Sequence, residues 1–446
     1  MPPVTERTPV SFADPLPDEA DVVIIGAGIV GTATAYFLAA RGAKVVLCEK
    51  GRVAGEQSSR NWGWVRQQGR DAAELPIMIE ANRIWCGLAE RTGEADLAFT
   101  QAGCVYLAET EAGRKKYEDW YDLAVQHQLG TRMLTPAEIA ARFPNLRGAF
   151  KAGMETPTDG RAEPSEAVPA LTRAAQRLGA VVIENCAVRT VDIAGGRVAG
   201  VVTEKGRLRA ARVLLAGGAW STCFAGNLGI DLPQLSVRST VARTGPAPDL
   251  FGPNISTPGF TLRRRADGGY TVATGDLTEH YLSPKSFRYF AKYLKLMRLS
   301  RRDLRIWPMA PKGFPGAWGS PSRWNADEVS PFERTRVLDP KPSPTIVRRL
   351  EKRLPQRFPD LAGVKLAEAW AGMIDVTPDA VPTLGEAPEL PGLYLATGFS
   401  GHGFGIGPAI GRIMADLLTG GDPGHDLSRF RPGRFSDGSE IVPGPY

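Results

Sequence analysis

The stretch DVVIIGAGIVGTATAYFLAARGAKVVLCEK, residues 21–50, decides the fold. Residues 21–25 read as a fully buried parallel strand, because they form a β-rich apolar run. Residues 29–40 carry a helical pattern, and Gly42 fits its C-terminal stop. Residues 44–49 are the next strand. Between the first strand and the helix stands Gly26-Ala27-Gly28-Ile29-Val30-Gly31, a GxGxxG turn. Gly26 makes the tight turn, Gly28 lets the backbone approach a pyrophosphate, and Gly31 lets the helix lie close to the strand. The helix N-terminus offers free N–H groups and a positive dipole end to phosphate. Glu49 closes the second strand, 18 residues past Gly31, with Lys50 beside it. A carboxylate there accepts hydrogen bonds from a ribose diol and repels a 2′-phosphate, which disfavours NADP. Residues 22–40 are also an uncharged stretch of 19, long enough to span a membrane. Its three early glycines fit a strand, a turn and a buried helix better.

The rest of the chain supports a large soluble enzyme. Its 446 residues allow two or three domains, or two interleaved lobes. With 43% hydrophobic and 23% charged residues, disorder, collagen and coiled coil are excluded as global descriptions. The five cysteines show no CxxC and no histidine at ligand spacing. No metal site or disulfide framework is expected, and a reducing, cytoplasmic compartment is. Residues 1–17 read as a disordered leader, and 426–446 as a loose C-terminal extension. Helices are expected over 73–91, 163–178 and 408–418. A β meander is expected over 181–216, and irregular structure over 307–344. RVLLAGGAWS, residues 212–221, is a strand ending in small residues that can lie against a cofactor. GFSGHGFGIGPAIG, residues 398–411, has six glycines and then feeds a helix. Such a loop is an anion site, for a second phosphate or for the pyrimidine end of a reduced flavin.

These segments, together with Ser58-Ser59-Arg60-Asn61 and EAWAGMIDVTPDAVPTLGE (368–386), resemble the glycine oxidase and D-amino-acid oxidase (DAO) family of FAD-dependent amine oxidoreductases. The parts run in family order over residues 21–418. The resemblance implies an α/β fold, with a Rossmann-type FAD-binding domain interleaved with an α+β substrate domain on a large, mostly antiparallel sheet. The FAD domain would take 18–75, 155–235 and 365–425. The substrate domain would take 76–154 and 236–364.

By the same resemblance, Gly26, Ala27, Gly28, Ile29, Val30, Gly31, Glu49 and Lys50 hold the ADP half. Ser58, Ser59, Arg60 and Asn61 line the pyrophosphate and flavin edge. Val188 turns its backbone to adenine. Ala216, Gly217, Trp220 and Gly372 lie against the cofactor. Gly398, Gly401, His402, Gly403 and Phe404 close over the pyrimidine edge. Two subfamilies link the flavin to a C-terminal Cys or an early His. This chain has no Cys after Cys223 and no His before His127, so non-covalent FAD is expected.

The implied reaction is hydride transfer from a C–H next to nitrogen to flavin N5, giving an imine that hydrolyses. It needs a neutral amine, orientation and charge stabilisation more than a protein base. An amino acid also needs a carboxylate anchor, and Arg offers a bidentate fork. Arg66 is the first candidate, with Trp62 and Trp64 as apolar walls; alternatively it pairs with Asp71 and the tryptophans are core. Arg66 and His402 are the residues singled out for the chemistry, His402 through its ring or its flanking backbone. One of Arg263, Arg264 and Arg265 is a second anchor candidate, and Tyr270 and Met373 are further pocket residues. The strand 269–275 lacks the lysine that sarcosine-type oxidases use for oxygen, so of the two acceptors, O2 or a quinone, the absence speaks against fast use of O2 and favours a dehydrogenase over an oxidase. A 2-hydroxy-acid dehydrogenase and an RNA-associated flavoprotein are the alternatives.

With 54 Lys and Arg against 48 Asp and Glu, the net charge is +6, which raises the question of a nucleic-acid partner. The excess is local. Residues 284–305 hold eight basic side chains and one acid, and the remainder of the chain is nearly neutral. No nucleic-acid module accompanies it, so no nucleic-acid partner is expected. Phe287, Phe290, Leu294, Met297 and Arg301 share one helical face with basic neighbours. That is either an ordinary solvated basic face or a segment that rests on the inner face of a membrane.

Overall fold

The computed structural model describes residues 2–301 and 303–444. Its first sheet has six strands in the order Thr383–Glu386, Leu393–Thr397, Arg212–Leu215, Val22–Ile25, Val45–Cys48 and Val181–Ile183. All neighbours are parallel except the first pair. Val22–Ile25 sits centrally with all four residues buried, as a strand covered on both faces must. The helix Ile29–Ala39 packs on one face between the helices Gly403–Thr419 and Pro164–Arg177. The meander Val188–Ala194, Arg197–Thr203 and Gly206–Arg209 forms a separate three-stranded sheet.

The second large sheet has ten strands and is mostly antiparallel. Leu235–Thr244 is its hub and pairs along its whole length with Leu366–Val376. The helix Pro344–Arg357 covers one face through Ile346, Leu350 and Leu354.

Several boundaries differ from expectation. The helix Glu74–Thr92 belongs with the six-stranded lobe, not with a substrate domain starting at 76. Its Leu88, Ile84, Ala81 and Ile77 join the core around Ile29–Ala39, and Trp85 Nε1 donates to the Gly405 carbonyl at 2.9 Å. Leu366–Val376 is hydrogen-bonded into the ten-stranded sheet although it falls inside the expected FAD segment 365–425. The final helix begins at Gly403 rather than 408, so Pro408 lies inside it. Its glycines serve close approach: a Cβ on Gly411 would lie 2.4 Å from the Ala33 Cβ.

Neither chain end is loose over the described residues. Val4 and Phe12 are buried, the Val4 N–H donates to Ser59 Oγ at 3.1 Å, and Glu184 accepts from the Ser11 N–H at 2.7 Å. The expected disordered leader is thus packed onto the first lobe. In the C-terminal extension, Phe430 and Arg434 are buried. Arg434 forms a two-pronged ion pair with Asp379, at 2.8 and 3.0 Å, and also donates to Thr383 Oγ1 at 3.1 Å.

Breaking a buried pair leaves an uncompensated charge, so Arg434→Ala is expected to cost about 3–5 kcal/mol. The midpoint of urea unfolding checks this. An unchanged midpoint would mean that the C-terminal segment does not dock.

Candidate active site

The centre of the first lobe is a turn where three backbones meet. Gly26 has φ +104°, and a Cβ there would sit 2.6 Å from the Ala216 carbonyl oxygen. A Cβ on Gly31 would lie 2.0 Å from the Gly26 carbonyl oxygen. The tight packing draws the start of the helix Ile29–Ala39 against the ends of the strands and aims its free N–H groups outward. Ser58 Oγ accepts from the Ile29 N–H at 2.9 Å, within a cradle of glycine backbone. Glu49 receives the N–H groups of Ala27 and Gly51, each at 2.8 Å, which fix its orientation. Burial pushes its carboxyl upward in pKa.

From this turn a cavity of about 1200 Å³ runs toward the ten-stranded sheet. Gly26, Gly28, Ile29, Val30, Glu49, Lys50, Ser58, Asn61, Val188, Ala216, Gly217, Trp220, Met373, Gly401, Gly403 and Phe404 of the expected residues line it. Lys50 pairs with Glu56 at 2.6 Å and lies 4.6 Å from the centre of the Trp220 ring, whose Nε1 donates to Glu56 at 2.9 Å. The long, mostly apolar shape with a phosphate cradle at one end fits FAD. Gln57 is in the wall, with its Oε1 buried and turned toward Gly372 rather than into the cavity.

Other expected residues do not face the cavity. Gly31 serves packing, and Ala27 enters through its N–H to Glu49. Ser59 and Arg60 follow Ser58 on a short helix and point the other way. Arg60 is buried and donates to Asp339 at 2.6 Å, to the Val4 carbonyl at 3.0 Å and to the Ala371 carbonyl at 3.1 Å. It clamps three segments together instead of touching a cofactor. Gly372 leaves room for Gln57: a Cβ there would meet Gln57 Oε1 at 2.1 Å. The N–H of Gly398 is held by Asp375 at 2.6 Å.

Asp375 is the residue the sequence reading missed. It lines the cavity, is buried, and also accepts the Phe399 N–H at 3.2 Å. It therefore shapes the loop before Gly401. Burial pushes its carboxyl up in pKa. Nothing local in the sequence marks this role, because Asp375 stands 23 residues before its partner Gly398.

The anchor candidates divide. Arg263 is buried and pairs with Glu163 at 2.8 Å, Arg265 pairs with Asp267 at 3.1 Å, and Arg264 stacks 5.0 Å over Tyr270. Tyr270 itself is core: it packs with Phe260 and Phe358, and its hydroxyl donates to the Pro248 carbonyl at 2.8 Å. It is not a pocket residue. Arg66 donates to the Gln68 carbonyl and lies 5.5 Å over Tyr106; Asp71 pairs with Arg429 instead. Trp62 and Trp64 meet edge to face at 6.0 Å, with Trp62 only half-buried. Arg66, Trp62 and Trp64 are not among the lining residues of the cavity.

His402 hydrogen-bonds Glu74 through Nδ1 at 3.0 Å, while the flanking Gly401 and Gly403 face the cavity. Burial, with the positive charges of Arg70 and Arg66, holds the His402 pKa down at about 4. Burial opposes the charge on Glu74, but His402, Arg70 and Arg66 outweigh it and keep the carboxylate ionised. Neutral His402 therefore donates Nδ1–H to Glu74, which fixes its tautomer. Among the described residues, no group of His, Cys, Asp and Glu could hold a metal ion.

His402 is expected to stay neutral down to about pH 4, whereas an unfolded chain protonates it near 6.5. Between those values the unfolded state binds the extra proton, so this residue's contribution to stability falls as pH falls. Nitrogen NMR of the imidazole at pH 5 checks this: a neutral ring is expected, and a charged ring would contradict it.

Comparison with known proteins agrees with this geometry. Residues 21–417 match the family described as DAO, FAD dependent oxidoreductase. The L-amino acid deaminase from Proteus myxofaciens, solved with anthranilate, superposes with a TM-score of 0.90 at 31% identity, covering 97% of each chain. The 4-methylaminobutanoate oxidase (formaldehyde-forming) of Paenarthrobacter nicotinovorans is 26% identical over 95% of this chain and 46% of its own. The chain spans about half the length of this and several other curated relatives. The glycine oxidase of Geobacillus kaustophilus is 26% identical over 92% of this chain and 96% of its own. The chain belongs to the DAO family of FAD-dependent oxidoreductases.

Proposed function

We propose that this protein oxidises the C–N bond of an amino acid or a secondary amine. The observation that carries the reading is the cavity that joins the glycine turn at Gly26 and Gly28 to the strand Leu366–Val376 of the second sheet. Bound FAD supplies a two-electron acceptor for hydride. The protein's part is binding and orientation. Glu49 and the Gly28 turn hold the nucleotide half. Gly401, Gly403 and Phe404, braced by Asp375, offer backbone N–H groups to the ring end. Met373 and Phe399 exclude water there. Four of the relatives and neighbours named by their substrates act on amino acids or N-methyl amines, which favours the same class here.

Non-covalent attachment is part of this reading. The only cysteine in the cavity wall among the described residues is Cys48, beside Glu49 at the nucleotide end. Acid precipitation is expected to release all yellow colour into the supernatant; colour kept in the pellet would contradict it. The reductive half-reaction tests the substrate class. Under anaerobic conditions a panel of D-, L- and N-methyl amino acids should include at least one that bleaches the flavin band. Bleaching by 2-hydroxy acids alone would overturn the reading.

The electron acceptor is O2 or a quinone, and a membrane-surface contact near 284–305 favours the quinone. No helix among the described residues is long and apolar enough to cross a membrane. The segment is not one amphipathic helix but two short ones, Pro284–Arg288 and Phe290–Leu299, and the strand Leu304–Trp307. Its buried face is Tyr289, Tyr293 and Leu296; Phe287 and Phe290 are exposed instead, beside Arg288 and Arg298. Of the basic residues expected there, Arg302 lies outside the described residues. Among the described residues the exposed Phe and Trp side chains are Phe287 and Phe290, inside the segment, and Trp307 and Trp318, beyond its C-terminal end. Aromatic and cationic side chains together suit an anionic lipid surface. At low salt the protein should sediment with vesicles containing phosphatidylserine and not with pure phosphatidylcholine; equal partition would contradict the contact.

A further inference from the structure

Phe332 lines the cofactor cavity, yet it comes from the long connection between the strand Leu304–Trp307 and the helix Pro344–Arg357 of the second lobe. The regular structure in this connection is the single helical turn Pro331–Arg334. Among the described residues, 311–340 make no backbone-to-backbone hydrogen bond to any other part of the chain. The stretch is laid across the first lobe and held there by side chains.

The holding contacts gather beside the nucleotide end of the cavity. Arg336 forms a two-pronged ion pair with Glu204, one arm at 2.6 Å, and donates to the Lys50 carbonyl at 3.0 Å. Lys50 Nζ returns to the Thr335 and Arg336 carbonyls at 2.8 and 2.9 Å. Glu333 pairs with Arg189 at 2.8 and 3.0 Å, and Trp324 Nε1 donates to the Arg189 carbonyl at 2.8 Å. Lys50 follows Glu49 and Arg189 follows Val188, so the clamps stand next to two lining residues of that end. Phe332 is buried and meets the lining rings of Trp220 and Phe224 at 5.9 Å between centres. Gly51 is shaped for the contact: a Cβ there would lie 2.2 Å from the Arg336 carbonyl oxygen.

A segment tied down by side chains alone can lift without breaking a ladder of backbone hydrogen bonds. Its ion pairs to Glu204 and Arg189 are partly open to water, so they can exchange protein partners for solvent at modest cost. The strands that end at the cavity have no such freedom, because each is paired along its length. We propose that residues 311–340 are a strap over the nucleotide end of the cavity, and that the strap must lift for FAD to enter or leave. Exchange of the cofactor is then gated by contacts such as those of Arg336 and Gly51, which are not among the lining residues themselves. The inference concerns cofactor exchange and stands apart from the proposed amine oxidation.

Relaxation of the yellow holoenzyme after dilution tests it. Flavin fluorescence followed at a range of final concentrations yields the rates of FAD release and of rebinding. A gate slows passage in both directions, so loosening it from outside the cavity raises both rates together. Gly51→Ala pushes a Cβ against the Arg336 carbonyl, and Arg336→Met removes the Glu204 pair. Each should raise release and rebinding about fivefold or more, with the dissociation constant kept within about twofold. A contact that only adds affinity would raise release alone and weaken the dissociation constant in proportion; that result overturns the strap. Unchanged rates overturn it as well. If one variant fails to hold FAD, the other is read alone. If both fail, the wild type is compared in about 0.05 M and about 1 M sodium chloride, where screening of the partly exposed pairs should raise both rates. Release and rebinding unaltered by salt, or release raised alone, would then overturn it.

Discussion

Three backbones meet at Gly26, and no side chain fits between them. The end of Val22–Ile25, the end of Arg212–Leu215 and the first turn of Ile29–Ala39 approach so closely that a Cβ at Gly26 or Gly31 would fall on a carbonyl oxygen. Much follows from this contact. It sets the height of the helix N-terminus above the sheet, hence the place where phosphate can be held. It fixes the neighbouring Ala27 N–H on Glu49 and the Ile29 N–H on Ser58. The far side of the same helix repeats the device with the partner Gly403–Thr419. There Gly407 and Gly411 admit Ile29 and Ala33. The helix is thus held by close approach on two sides, and the cofactor cavity inherits its rigidity.

The second lobe reaches the cavity through one strand. Leu366–Val376 is long, is hydrogen-bonded into the ten-stranded sheet, and delivers Met373 and Asp375 to the cofactor side. Asp375 then organises the turn before Gly401. One strand therefore couples the two lobes and shapes the ring end of the cavity. Arg60 reinforces the junction from behind, since it bonds the Ala371 carbonyl of that strand and the Val4 carbonyl of the N-terminal segment. A residue expected to touch the cofactor instead braces a strand that lines the cavity.

What was legible in the sequence were local patterns. Residues 21–50 read correctly as strand, turn, helix and strand, because buried β-branched runs and a GxGxxG turn carry their meaning without distant partners. The stretch around Ala216, Gly217 and Trp220 was likewise placed on the cavity. What failed needed tertiary knowledge. Ser59 and Arg60 share a tetrapeptide with Ser58, yet one helical step decides which of them faces the cavity. Tyr270 and Arg263 to Arg265 sit on a pleated sheet whose faces cannot be assigned without its neighbours. The ends of the chain read as loose because Val4, Phe12 and Arg434 are isolated among polar residues, and their partners Ser59, Glu184 and Asp379 are far away in sequence. The basic segment was found by counting charge, but its register was wrong: the aromatic tyrosines turn inward and the phenylalanines outward.

The central claim is that this cavity serves oxidation of a carbon–nitrogen bond. A single anaerobic turnover with a bleaching substrate measures it most directly, by quantifying carbonyl product and released ammonia or amine against flavin reduced. The account predicts one equivalent of each per flavin, as hydride leaves carbon and water then splits the imine. Flavin bleached with no nitrogen released would contradict it.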